Sequence, residues 1–209
     1  MGRFSDRPIG SNMKEHNPSR RAVLASAAII PVAALTSPAQ QQPAGALTSA
    51  QLKTLEAFVD RLIPSDELGP GAVAAGAQNY ISIQLAGYLA PEKAAFVAGL
   101  EGIEDYSKRV HKAAFTELSP EKRDEVLTAM DTGKADGFPN ARNFFTRARR
   151  LTLEGTFGDP HYGGNNNGIG WDIIRYPGPR PAVGPEEQRL ATPATPYRKS
   201  AWGNAEHEH

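Results

Sequence analysis

The sequence predicts an all-α protein: a bundle of about five helices, followed by a long irregular segment rich in Gly, Asn and Pro. Three observations carry that prediction. Between residues 47 and 157 apolar residues recur at helical spacing. No stretch shows the strict apolar–polar alternation of a half-buried strand. Pro and Gly fall between the periodic runs, where they punctuate the chain.

The first helix follows the capping-box pattern Thr48…Gln51, with Leu47 and Leu52 placed as a hydrophobic staple. Leu52, Leu55, Phe58, Val59, Leu62 and Ile63 form its apolar stripe, and Pro64 ends it. The stretch SDELGPGAVAAG reads as a loop punctuated by Gly69, Pro70 and Gly71, and a second helix is expected from about Ala72 to Leu89, with Tyr80, Ile81, Leu85, Tyr88 and Leu89 facing inward. Pro91 suits the first turn of a third helix. Its stripe, from Phe96 and Val97 through Ile103 and Tyr106 to Val110, Ala114 and Leu118, is long enough to predict one continuous helix to Leu118. Glu101, Glu104 and Asp105 fall on its expected solvent face. Ser119–Pro120 reads as a cap and first helical residue. The fourth helix then turns Val126, Leu127 and Met130 inward and stops at Gly133. Asn140 is the expected cap of a fifth helix bearing Phe144, Phe145, Ala148, Leu151 and Thr152, which fades near Phe157.

Residues 1–39 stand outside this bundle. Arg20 and Arg21 precede the apolar run AVLASAAIIPVAAL, which is broken by Pro31 and followed by small residues that offer cleavage after Ala39. The run is shorter than the roughly 20 apolar residues of a membrane-spanning helix. Paired arginines before such a run are the address of the twin-arginine route, which exports folded proteins and points to the periplasm. Residues 40–46 read as a polar linker, 47–181 as the helical domain and 182–209 as an extended or mobile tail.

The chain has balanced charge, with 23 basic and 23 acidic residues; removing the signal leaves about −3, which gives no reason to expect a nucleic-acid partner. It has no cysteine, which excludes disulfides, cysteine-ligated iron–sulfur clusters, c-type haem attachment and thiol nucleophiles. No Ser lies in a G-x-S-x-G elbow. Asp159, His161 and Glu154 are too few to predict a metal site. The run GGNNNGIG has glycines suited to a phosphate loop, but no strand is expected before it and no helix after it. Its better reading is conformational: Gly and Asn accept positive φ, so Gly163–Gly170 can follow a tightly turned path.

Residues 158–181 are therefore the informative stretch. They are irregular, yet carry Tyr162, Ile169, Trp171, Ile173, Ile174 and Tyr176. Long irregular segments inside compact domains are usually functional. Tyr162, Trp171 and Tyr176 are candidate anchors for a partner, and Gly163 and Gly164 set the path that presents them. The competing expectation is that Trp171 and Tyr176 tuck the loop against the bundle.

The stretches LTSAQLKTLEAFVDRLIPSDELGPGAVAAGAQNYI and FFTRARRLTLEGTFGDPHYGGNNNGIGWDIIRYPGPRP, together with the twin-arginine signal, resemble the small (third) subunit of the gluconate 2-dehydrogenase family. One departure is Arg175, where the family more often has Gly, so the local turn is expected to be altered. The resemblance implies a non-catalytic subunit with no cofactor of its own. It implies FAD in a large flavoprotein dehydrogenase partner, haem c in a multihaem cytochrome of complexes that have a third subunit, and membrane association through that cytochrome. It further implies assembly and export of the catalytic subunit, in a chaperone-like role, on this chain's signal. The residues alone leave two rivals: a stand-alone periplasmic enzyme working through carboxylates, and a sugar-binding module.

Overall fold

Seven α-helices, and no strand among the described residues, make up the chain. The computed structural model describes residues 46–180, 182–185, 188–189, 191 and 196–202. The expected export signal with Arg20 and Arg21 lies outside them, as does the expected 40–46 linker apart from Ala46. The helices are α1 (Ser49–Leu62), α2 (Gly71–Ala74), α3 (Ala77–Ala86), α4 (Lys93–His111), α5 (Pro120–Asp131), α6 (Ala141–Phe157) and α7 (Ile169–Ile173).

The capping box forms as expected: Gln51 N–H donates to Thr48 Oγ1 at 3.3 Å and Thr48 N–H to Gln51 Oε1 at 2.9 Å. The core gathers Leu55, Phe58 and Val59 of α1, Ile81 and Leu85 of α3, Leu100 and Ile103 of α4, Val126 and Met130 of α5, and Phe145 and Leu151 of α6. Phe144 packs edge-on against Phe96, with ring centroids 5.1 Å apart. Gly99 of α4 makes room for it, since a Cβ there would fall on the Phe144 ring.

Several expectations are corrected. The predicted second helix is two, α2 and α3, because Gly76 takes φ +79° and breaks the ladder. Tyr88, assigned to its inner face, lies beyond the end of α3 at Ala86 and is exposed. The third helix stops at His111, where Lys112 turns left-handed (φ 59°). Phe115 and Leu118 still reach the core, through a 3₁₀ turn over Phe115–Glu117, while Val110 faces water. Glu104 is not a solvated carboxylate: it accepts from Thr54 Oγ1 at 2.8 Å and Phe115 N–H at 3.0 Å, tying α1 and α4 to that turn. Asn140 does precede α6, but with φ +60° and no side-chain cap bond.

The pair α3–α6 positions the C-terminal segment. A stripe of small residues, Ala148, Thr152 and Gly155, lies buried along α6. The buried hydroxyls of Thr152 and Thr156 donate back to the carbonyls four residues earlier, at 2.8 and 2.7 Å. At Gly155 a Cβ would meet Tyr80 Cδ1 at 2.9 Å and Ala77 Cα at 3.0 Å, so the two helices touch there almost backbone to backbone. Among the described residues no helix is long and apolar enough to cross a membrane.

Candidate functional site

The C-terminal segment is built on the last turns of α6. Asn165, fully buried with φ +45°, is its bracket. Its N–H donates to the Gly155 carbonyl at 2.7 Å. Its Nδ2 donates to the Gly158 carbonyl at 2.8 Å, and its Oδ1 accepts from Gly170 N–H at 2.8 Å. Two close approaches flank it. A Cβ on Gly164 would strike the Gly155 carbonyl, and one on Gly170 would strike the Thr156 carbonyl. Asn166 N–H donates to the Ala75 carbonyl at 2.9 Å, so the segment also seats in the break between α2 and α3. The expectation for GGNNNGIG is also corrected: a helix does begin at its end, the five-residue α7 from Ile169.

The predicted anchors separate into two kinds. Trp171 is only 5% exposed, and its Nε1–H donates to the Phe157 carbonyl at 2.9 Å. It packs within the chain and holds α7 down. Tyr176 stacks edge-on against Trp171 at 5.4 Å but stays 42% exposed. Tyr162 is 47% exposed at the end of the 3₁₀ turn Pro160–Tyr162. Gly163 takes φ +88° directly after it, where a Cβ would also crowd Ile83 Cδ1 at 2.7 Å. The two glycines thus fix the path that leaves Tyr162 outside. Ile174 and Leu68 add exposed apolar surface, and Ile173 lies against Gly69 of the Leu68 loop.

Reading the sequence missed the other half of this surface. Within the region expected to be an extended or mobile tail, residues 196–202 return across the segment, antiparallel to it. Tyr197 N–H donates to the Pro177 carbonyl. Arg198 pairs with both Asp172 oxygens at 2.9 and 2.7 Å and donates to the Asn167 carbonyl at 2.8 Å. Ala201 N–H donates to Asp159 Oδ2 at 2.8 Å, while Asp159 Oδ1 caps His161 N–H at 2.9 Å. Trp202 comes to rest 5.9 Å from the His161 ring, which itself meets Tyr162 edge-on at 5.3 Å. Burial pushes the Asp159 carboxyl up, but hydrogen bonds from Ser200 and from the His161 and Ala201 amides outweigh it and hold the group below its usual range. The only sequence signal for this strap was the aromatic and basic content of TPYRKSAW, embedded in polar residues.

The remaining chemistry is committed to holding the chain together. Glu154 accepts from Tyr80 Oη at 3.2 Å and from Arg150 at 2.8 Å. Burial, together with that carboxylate, pushes the Tyr80 hydroxyl up to about 12. Asp159, His161 and Glu154 do not gather as ligands, and no group of three or more His, Asp and Glu comes together among the described residues. A cleft of about 450 Å³ opens beside Phe96, Phe138 and Phe144, but Arg147 at its edge is bidentate to Glu92 at 2.7 and 2.9 Å. None of the predicted anchors lines it.

Fold and site together define an all-α domain distinguished by a rigidly held irregular surface with exposed aromatic rings. The chain belongs to the gluconate 2-dehydrogenase subunit 3 family, whose model matches residues 49–178. Both stretches that carried the resemblance lie mostly within that span. The family is one of subunits, so membership implies other subunits in the complex. No curated protein and no solved structure matches the chain.

Proposed function

We propose that this chain is the non-catalytic small subunit of a periplasmic FAD-dependent sugar or sugar-acid dehydrogenase, and that it escorts the catalytic subunit through the twin-arginine route. The observation that carries the reading is membership of the subunit 3 family across the folded domain. The paired Arg20 and Arg21 supply the address. FAD and the substrate pocket reside in the large flavoprotein, and haem c in a cytochrome that holds the complex at the membrane. The flavoprotein folds around its cofactor in the cytoplasm, binds this chain, and crosses on this chain's signal.

The test is to replace Arg20 and Arg21 by Lys and fractionate the cells. Both chains and the dehydrogenase activity should stay in the cytoplasm, because the partner has no address of its own. Normal periplasmic activity in the variant would remove the escort role.

A further inference from the structure

The strap over residues 196–202 leaves large groups facing outward. Trp202 is 69% exposed, against 5% for Trp171. It continues a row of rings through His161 to the half-exposed Tyr162. Tyr197 and Tyr176 are exposed at the strap's other end, beside the Pro177 contact. A monomer seldom leaves such rings outward over a contiguous surface unless the surface is used.

Charge gives the surface a sign. Its two carboxylates are taken up inside the chain, Asp172 by Arg198 and Asp159 by the His161 and Ala201 amides. Among the described residues it carries two exposed cations, Lys199, whose ammonium lies 5.8 Å from the Tyr197 ring, and Arg175. Arg175 holds its place against its own backbone, with φ +54° in the left-handed region where glycine fits without strain. Strain retained at an exposed side chain points to use outside the chain.

We propose that the strap Pro196–Trp202 and residues 161–176 form one docking surface for the catalytic flavoprotein subunit, with Trp202, Tyr162 and Tyr176 entering apolar recesses and Arg175 and Lys199 meeting carboxylates on that partner. This rests on the proposed function, and it adds where the partner sits and what its face must carry. Aromatic rings beside guanidinium groups are the usual anchors of such interfaces, and paired charges around them steer encounter and set the salt dependence.

The experiment uses the full chain, tagged and co-expressed in its own host with the flavoprotein. Trp202→Ala, Arg175→Gly and the double change Arg175→Glu/Lys199→Glu are compared with the unaltered chain. Flavoprotein recovery, affinity and its dependence on salt are read beside the melting temperature of each variant. Trp202→Ala should weaken affinity by about tenfold or more with melting unchanged. Arg175→Gly should weaken docking while raising the melting temperature, a pair of opposite signs that a purely structural role cannot give. The double charge reversal should weaken docking most at low salt. Unchanged affinity for Trp202→Ala and for the charge reversal would overturn the inference while leaving the subunit reading standing. Failure of the unaltered chain to recover any flavoprotein would overturn that reading, and the inference with it.

Discussion

Three consecutive asparagines, Asn165, Asn166 and Asn167, look alike in the sequence and do different work. Only Asn165 is buried with both ends of its side chain bonded to backbone. The Asn166 side chain reaches the Ala74 carbonyl at a long 3.5 Å, and the surface around it is wet. Removing the Asn165 amide leaves the buried Gly170 N–H and the half-buried Gly158 carbonyl without their partner, and places Ala in a left-handed conformation. Asn165→Ala should therefore destabilise the domain by about 3 kcal/mol. Asn166→Ala should stay within about 0.5 kcal/mol, the ordinary range for a surface change. Chemical denaturation of the two variants decides between them, and equal losses would mean that the bracket assigned to Asn165 is wrong. Arg175 shows the same scale from the other side. It takes φ +54° in the left-handed region, with the strain borne by its own backbone.

At the scale of elements, what was legible in the sequence was what periodicity and local chemistry set. The Thr48–Gln51 box, the stop at Gly133 and the inward faces of α1, α5 and α6 are decided within a turn or two of chain. The break at Gly76 was not legible, because Gly is common in helical stretches and its reason lies far away: Asn166 fills the space a side chain would need. Likewise the stripe through Leu118 keeps its inward register while the backbone leaves the helix at Lys112, which spacing alone cannot distinguish. The strap was missed because its bonds are to residues about 20 to 42 positions away, and polar composition reads as looseness when those partners are unseen. Its attachment carries a pH dependence. The Asp159 pKa is depressed in the folded chain, so its contribution is present above the unfolded value near 3.9 and is lost as pH falls through the lower, folded value. The Ala201 amide resonance, followed by NMR into acid, should move below about pH 4. In Asp159→Asn that movement should vanish, and an Ala201 amide that titrates identically in both would remove Asp159 from the strap's attachment.

For the whole molecule, the segment after α6 is part of the domain rather than an appendage. Trp171 is buried against the end of α6, and Asn165 and Gly170 are bonded within the same turns. Trp171 emission, isolated by Trp202→Phe, should melt together with the helices seen by far-UV circular dichroism, with midpoints agreeing within about 2 °C as a single cooperative unit requires. An earlier Trp171 transition would make the segment an independent unit. The joint that would enforce this agreement is Gly155 against Gly164, main chain on main chain. Side-chain interfaces yield by switching rotamers, and this one has no rotamers to switch. It is a weld rather than a hinge: the main chain beside Tyr162 is set on the axis of α6, and the outer face keeps its place relative to that helix.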